Sequence, residues 1–226
     1  MGRWVRGLSP GAEFAVVIIG AFGLFILVQL LPAPPPESQG RITSAQLQFL
    51  SVYELIISAA LAAFLAARGF SLKRIGLGPT LAESAVGLGL ALAMMAASQI
   101  IGIVLAILWP YADEAARSAT FATPGVGLAM IATTSAINAV YEEVFVCGYV
   151  ITVLKDRTDP WTAINLSTGI RLLYHVYQGP VGMILVIVFG TTMAYYYLHR
   201  GRLWPPIVAH ALFDVVALFD FGAPPA

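Results

Sequence analysis

Long apolar runs recur along the chain and constrain its fold more than any other feature of the sequence. A helix needs roughly 20 residues to cross a hydrocarbon core, and each run has about that length. Only 11% of the residues are charged, whereas soluble domains carry about 25%. The sequence therefore predicts an all-α, polytopic transmembrane helical bundle with about seven spans: Phe14–Leu31, Leu47–Ala67, Ala82–Trp109, Val126–Leu154, Trp161–Gln178, Val181–Leu198 and Leu203–Phe219.

The basic residues predict an orientation for this bundle. Cytoplasmic loops of membrane proteins carry an excess of Lys and Arg. If the spans alternate in direction, only Arg41 and Arg117 fall on one side, and Arg171 lies within a span. We therefore predict a cytoplasmic N-terminus and a C-terminus on the opposite side, with the remaining basic residues in the cytoplasm: Arg3, Arg6, Arg68, Lys73, Arg74, Lys155, Arg157, Arg200 and Arg202.

The expected domain organisation is simple. Residues 1–226 form one integral membrane domain, and residues 126–220 form its motif-bearing catalytic core. The segment Tyr111–Ala122 is short and of mixed polarity, which predicts a surface loop or an interfacial helix. Membrane lipid is the expected partner, and the plasma membrane of a bacterium is the expected location. A formal net charge of +0 argues against a nucleic-acid partner, which would require a basic patch or stripe.

Few polar side chains lie inside the predicted spans, and they are informative because a charge at the bilayer centre costs roughly 2.5–3.5 kcal/mol. Glu54 stands alone in the second span, and we assign it to structure or to the wall of a water-lined cavity. The other six occupy three spans. They are the adjacent Glu142 and Glu143, the i,i+4 pair Arg171 and His175, and the i,i+4 pair His210 and Asp214.

These six side chains are predicted to meet in one cavity. Residues spaced i,i+4 lie on one helix face, so the fifth and seventh spans each present a single polar face. Counted from the cytoplasmic ends at about 1.5 Å per residue, the groups lie ~10–20 Å deep. Lipid cannot satisfy them, so they should face one another or water. A single carboxylate paired with Arg171 would be enough to fix how the helices pack. Six ionisable side chains in three spans are more than packing requires, which favours a functional site.

The same residue types supply what peptide hydrolysis needs, namely an activated water, a proton carrier and a donor for the developing oxyanion. A buried carboxylate pair such as Glu142 and Glu143 can act first as base and then as acid. No serine-protease motif accompanies Ser135 or Ser167, and sequence identifies no base for the single cysteine, Cys147. Two histidines and several carboxylates also suit zinc or manganese, so residue types alone leave metal dependence open.

Three motifs resemble those of the CAAX prenyl protease and bacteriocin-processing (CPBP, or Abi) family of intramembrane glutamate proteases. The family pattern is EExxxR, then FxxxH, then HxxxN or HxxxD on successive helices. Here the motifs run from Glu142 to Cys147, from Arg171 to His175 and from His210 to Asp214, in the second half of the chain.

The resemblance implies an intramembrane endopeptidase acting on a membrane-associated protein or peptide. Glu142 would activate water and His175 would assist it. His210 and Asp214 would stabilise the oxyanion, Glu143 would orient the reacting groups, and neither a cofactor nor a catalytic metal would be needed. Three alternatives stay open: a metal-dependent membrane protease, a non-catalytic scaffold or immunity protein of the same fold, and a small transporter.

The sequence departs from the family pattern at two positions. Cys147 stands where the family has Arg, and Arg171 stands where it often has Phe. We hypothesise that the changes are linked, so that Arg171 supplies from the fifth span the guanidinium that Glu143 would otherwise receive from its own helix.

Overall fold

A computed structural model describes residues 7–31, 41–112, 122–123 and 125–220 of the chain. Within these ranges the protein is all-α, and the 3₁₀ turns Leu72–Ile75 and Val176–Gln178 connect longer helices. The described part contains seven such helices: α1 (Pro10–Val28), α2 (Ser44–Ala67), α3 (Leu81–Leu108), α4 (Leu128–Leu154), α5 (Pro160–Tyr174), α6 (Gly179–Arg200) and α7 (Trp204–Asp220).

The helix starts follow from local sequence. Thr43 and Gln46 form a capping box at the start of α2, in which each side chain bonds the other residue's backbone N–H. At α5, Asp159 accepts a hydrogen bond from the backbone N–H of Thr162, and Pro160 occupies the first turn, where no N–H donor is needed. Hydrogen bonds from the Thr162 hydroxyl and then from its backbone lower the pKa of Asp159, so this cap stays ionised beside the positive end of the helix dipole.

Among the described residues, five helical segments are long and apolar enough to cross a membrane: α1, α2, α3, α4 and Val176–Arg200. The chain is thus an integral membrane protein. α7 is apolar but shorter, and α5 has only 15 residues. Helices exist at all seven predicted positions, whereas five of them satisfy the length and hydropathy of a full span. The predicted orientation remains a prediction.

Two predicted spans differ from the structure in ways that bear on the site. α4 is α-helical over Leu128–Glu142, π-helical over Glu143–Tyr149 and α-helical again over Val150–Leu154. The fifth helix ends at Tyr174, so the prediction that it continues to Gln178 is wrong. Gly179 adopts φ 66°, ψ −176°, a conformation that glycine reaches readily, and the chain turns there into α6.

Several predicted features lie outside the described residues. They are Arg3, Arg6 and Arg117, together with residues 113–121, which make up most of the predicted loop or interfacial helix.

α4 forms the centre of the bundle. In the most apolar 18-residue stretch of α4, 67% of the residues are buried. In the corresponding stretches of α1, α2 and α3, only 11–17% of the residues are buried. The Tyr141 hydroxyl donates to the Ala21 carbonyl on α1. Ser51 on α2 lies 3.0 Å from Thr134 on α4, hydroxyl to hydroxyl. Because apolar lipid-facing surface gives no driving force between helices, such polar contacts and close packing hold them together.

Candidate active site

The two adjacent glutamates lie where α4 changes from α to π geometry. Glu142 is the last residue of the α-helical part and Glu143 the first of the π-helical part. A π segment displaces the residues beyond it around the helix, and such segments are frequent at functional sites. Within it, the Val146 carbonyl accepts a 2.6 Å hydrogen bond from the Ser167 hydroxyl of α5. This bond ties α5 to the irregular part of α4.

Arg171 joins the two glutamates from α5. Its Nη1 lies 3.0 Å from Glu142 Oε2 and its Nη2 lies 2.6 Å from Glu143 Oε1. The arginine is 2% exposed, and its guanidinium carbon lies 5.3 Å from the ring centroid of Phe189 on α6. One buried cation therefore compensates two buried carboxylates, which would otherwise be very costly. The contact hypothesised between Arg171 and Glu143 is present.

The two carboxylates have different surroundings. Glu143 is fully buried, and its Oε1 accepts from both Arg171 and His210 Nδ1, the latter at 2.8 Å. Glu142 is 7% exposed, and its Oε2 accepts from Arg171 and from the Tyr174 hydroxyl at 2.8 Å. Among the described residues no donor contacts Glu142 Oε1. Glu143 Oε2 also has no hydrogen-bond partner among the described residues, but it is buried. The two glutamates therefore differ in exposure: the unbonded oxygen of Glu142 belongs to a partly exposed side chain, and that of Glu143 to a fully buried one.

His210 links this network to a second carboxylate group on α7. Its Nε2 lies 3.6 Å from Asp214 Oδ2, which is an ion-pair distance rather than a hydrogen bond. The same Asp214 oxygen accepts a 3.1 Å hydrogen bond from Asn138 Nδ2 of α4. The ring of Phe189 packs edge-on against His210, with the centroids 5.0 Å apart. His210 and Asp214 do share one helix face, as their spacing predicts.

His175 lies beside the network rather than within it. It follows the last residue of α5, and its Nδ1 is 3.0 Å from the Arg171 carbonyl oxygen. A carbonyl only accepts, so Nδ1 carries the hydrogen, and Nε2 of the neutral ring is an acceptor. The His175 and Tyr174 rings lie 4.5 Å apart, centroid to centroid. Within the described chain, no hydrogen bond joins His175 to Glu142.

The segment that carries these residues matches a known family. Residues 124–216 match the profile of the Type II CAAX prenyl endopeptidase Rce1-like family. They form an Rce1-like CAAX endopeptidase domain. This family is one of peptide hydrolases, and the resemblance inferred from the three motifs is confirmed. Searches of curated proteins and of solved structures gave no match.

The Rce1-like domain contains all six polar residues singled out by sequence. The structure joins Glu142, Glu143, Arg171, His210 and Asp214 by direct contacts, and it sets His175 next to them through Tyr174. Cys147 is buried beside Glu143, where the family arginine would emerge from the helix.

Sequence reasoning missed two residues of the site. The missed residues are Tyr174, which precedes a motif histidine, and Asn138, which lies one turn before Glu142. Neither side chain is charged, so its presence in an apolar span does not mark it as functional. Glu54 was assigned to structure or a cavity wall. It is 1% exposed. Its Oε2 has no hydrogen-bond partner among the described residues.

No group of three or more His, Cys, Asp or Glu side chains among the described residues is arranged to hold a metal ion. The buried carboxylates are instead bonded to Arg171, His210, Tyr174 and Asn138.

Proposed function

We propose that this protein is an intramembrane endopeptidase that hydrolyses a peptide bond of a membrane-associated protein or peptide, with Glu142 as the group that activates water. The asymmetry between the two glutamates carries the proposal. Each glutamate has one oxygen held by protein donors and one without a donor among the described residues, but Glu143 is completely buried whereas Glu142 keeps 7% of its surface exposed. A general base needs a fixed carboxylate with one accessible oxygen.

In the proposed reaction, Glu142 Oε1 takes a proton from water while the water oxygen attacks the carbonyl carbon of the scissile bond. His175 Nε2 accepts a hydrogen bond from the same water and orients it. His210 acts with both ring nitrogens protonated: Nδ1–H is donated to Glu143, and Nε2–H, on the side of Asp214, donates to the carbonyl oxygen as it gains negative charge. When the carbon–nitrogen bond breaks, Glu142 returns its proton to the leaving amine.

The membrane limits the substrate to peptides that reach the apolar interior or its edge, because the site lies among helices long and apolar enough to span a bilayer. We further propose that this membrane is the plasma membrane of a bacterium, with the basic loops facing the cytoplasm as the positive-inside pattern predicts.

Cleavage of a quenched-fluorescent peptide library by the detergent-purified protein tests the proposal. We expect Glu142→Gln to lower kcat by ~10²–10⁴, the usual contribution of general acid–base catalysis, and His175→Ala to lower it strongly as well. Asp156→Asn is the matched control, because it makes the same carboxylate-to-amide change on an exposed residue and should keep wild-type activity.

Addition of a strong chelator separates the alternatives. Activity that survives the chelator and is lost in Glu142→Gln supports a glutamate protease. Activity abolished by the chelator would instead indicate a metal-dependent protease. If wild-type protein cleaves no member of the library, the proposal fails in favour of a non-catalytic scaffold of the same fold.

A further inference from the structure

The site as described has too few donors for an oxyanion. An ionised carboxylate such as Asp214 only accepts hydrogen bonds. The Nδ1–H of His210 is already donated to Glu143 Oε1 at 2.8 Å, so in the doubly protonated ring only Nε2–H can donate to a substrate carbonyl. Oxyanion sites commonly combine several preorganised donors, and losing one costs ~10²–10³ in kcat. A second donor near His210 would complete the site.

Asn138 lies where such a donor is needed. It is a half-buried residue of α4, one turn before Glu142 on the same helix, and its Nδ2 donates to Asp214 Oδ2 at 3.1 Å. Because the acceptor is a carboxylate, the NH₂ group rather than the oxygen of the amide must face it, which settles the amide orientation. An NH₂ group has two hydrogens, and Asp214 takes only one.

The second hydrogen of Asn138 shares its surroundings with His210 Nε2–H. Both nitrogens approach the same atom, Asp214 Oδ2, at 3.1 Å for Asn138 and 3.6 Å for His210. Two donors held against a common acceptor lie near each other. Asn138 and Glu142 are spaced i,i+4 in the α-helical part of α4, so they lie on the same face of that helix.

We propose that Asn138 is a catalytic residue, which donates the second hydrogen bond to the substrate carbonyl oxygen beside His210. Asp214 aligns the amide of Asn138 and the imidazole of His210 and does not itself donate. This inference rests on the proposed peptidase activity. A purely structural Asn138 would only hold α4 against α7, and it would affect folding rather than turnover.

The test exchanges the amide of Asn138 and the carboxylate of Asp214 between the two positions. In Asn138→Leu and in Asn138→Asp the donor is gone, and we expect kcat to fall by ~10²–10³ with little change in KM. In the double variant Asn138→Asp/Asp214→Asn the amide stands on α7 and the carboxylate on α4, so the pair and one donor are restored. We expect the double variant to recover most of the kcat lost in Asn138→Asp.

Asn165→Leu is the matched control, because Asn165 is exposed on α5, and it should keep wild-type kcat. Thermal unfolding in detergent identifies any variant that does not fold, and Asn138→Asp keeps the shape of the side chain if Asn138→Leu fails to fold. Wild-type kcat in Asn138→Leu or Asn138→Asp overturns the inference, as does a double variant no more active than Asn138→Asp.

The inference and the proposed function fail differently. If Glu142→Gln abolishes cleavage while Asn138→Asp retains it, only the role of Asn138 is wrong. If wild-type cleavage is absent or does not depend on Glu142, the proposed function is wrong and the role of Asn138 falls with it.

Discussion

Arg171 shows at the residue scale how one side chain can replace another across helices. The EExxxR motif that this sequence resembles has an arginine four residues after its second glutamate, on the same helix, and this chain has Cys147 there. Here the guanidinium comes from α5 and reaches both glutamates, at 3.0 Å and 2.6 Å. A planar guanidinium with several donors can bridge two carboxylates, which a lysine ammonium does less well.

Replacing Arg171 should therefore abolish activity. Arg171→Leu removes the cation between the two carboxylates and leaves Glu142 bonded to the Tyr174 hydroxyl and Glu143 to His210. Breaking a buried ion pair costs roughly 3–5 kcal/mol, and Arg171→Lys should also lose most activity despite its charge. Cys147→Arg combined with Arg171→Leu should recover part of the cleavage rate, because it returns a guanidinium to the position that it has in the family. Rates on one peptide substrate measure this.

The control is Lys73→Leu, which removes an exposed cation and should leave the rate unchanged. A double variant as inactive as Arg171→Leu would contradict the proposed exchange of positions.

At the element scale, α4 and the helix pair α3–α7 shape the site. The π-helical segment of α4 begins at Glu143, and Ser167 and Arg171 of α5 bond to it. α7 packs against α3 at Gly87, where an added Cβ would lie 2.6 Å from Val208 Cβ and 2.8 Å from the Pro205 carbonyl oxygen. Since His210 and Asp214 belong to α7, this close approach helps to hold them against α4.

Gly87→Ala should consequently destabilise the protein. Overpacking of this kind costs typically about 1–3 kcal/mol, and the unfolding temperature in detergent should fall. Gly89→Ala makes the same change two residues later on α3, where an added Cβ meets nothing within 4 Å. Equal unfolding temperatures for the two variants would show that Gly87 does not determine how closely α3 and α7 pack.

At the scale of the whole molecule, burial is concentrated in α4, while few residues of α1, α2 and α3 are buried. This distribution suits a bundle whose outer helices face lipid and whose central helix carries the ionisable groups. The loop charges predict that the turns after α2 and α4 face the cytoplasm.

Labelling with a membrane-impermeant maleimide tests this orientation. Lys73→Cys and Lys155→Cys, both at exposed positions, should label only after the cells are permeabilised. Tyr111→Cys, at a position 69% exposed, should label in intact cells. Wild-type protein is the control and should not label, since its Cys147 is buried. Labelling of Lys73→Cys in intact cells would reverse the predicted orientation.

The sequence by itself determined the helical membrane fold, the approximate positions of the helices and six of the site's polar residues. The physical reason is the free-energy cost of placing charged groups in an apolar environment. Apolar runs of spanning length have few folding options, and charged groups inside them stand out because burying a charge is expensive. The contact between Arg171 and Glu143 was predictable for the same reason, since Arg171 is the one cation within the predicted spans.

Only the tertiary structure decided how these groups are connected. Tyr174 and Asn138 are uncharged, so burying them costs less than burying a charge, and the sequence alone did not indicate them. In the structure Tyr174 donates a hydrogen bond to Glu142, and Asn138 donates one to Asp214. The π geometry of α4 and the end of α5 before His175 depend on contacts between helices rather than on local residue pattern. The difference between Glu142 and Glu143, adjacent and chemically identical, arises from which neighbouring helices each one faces.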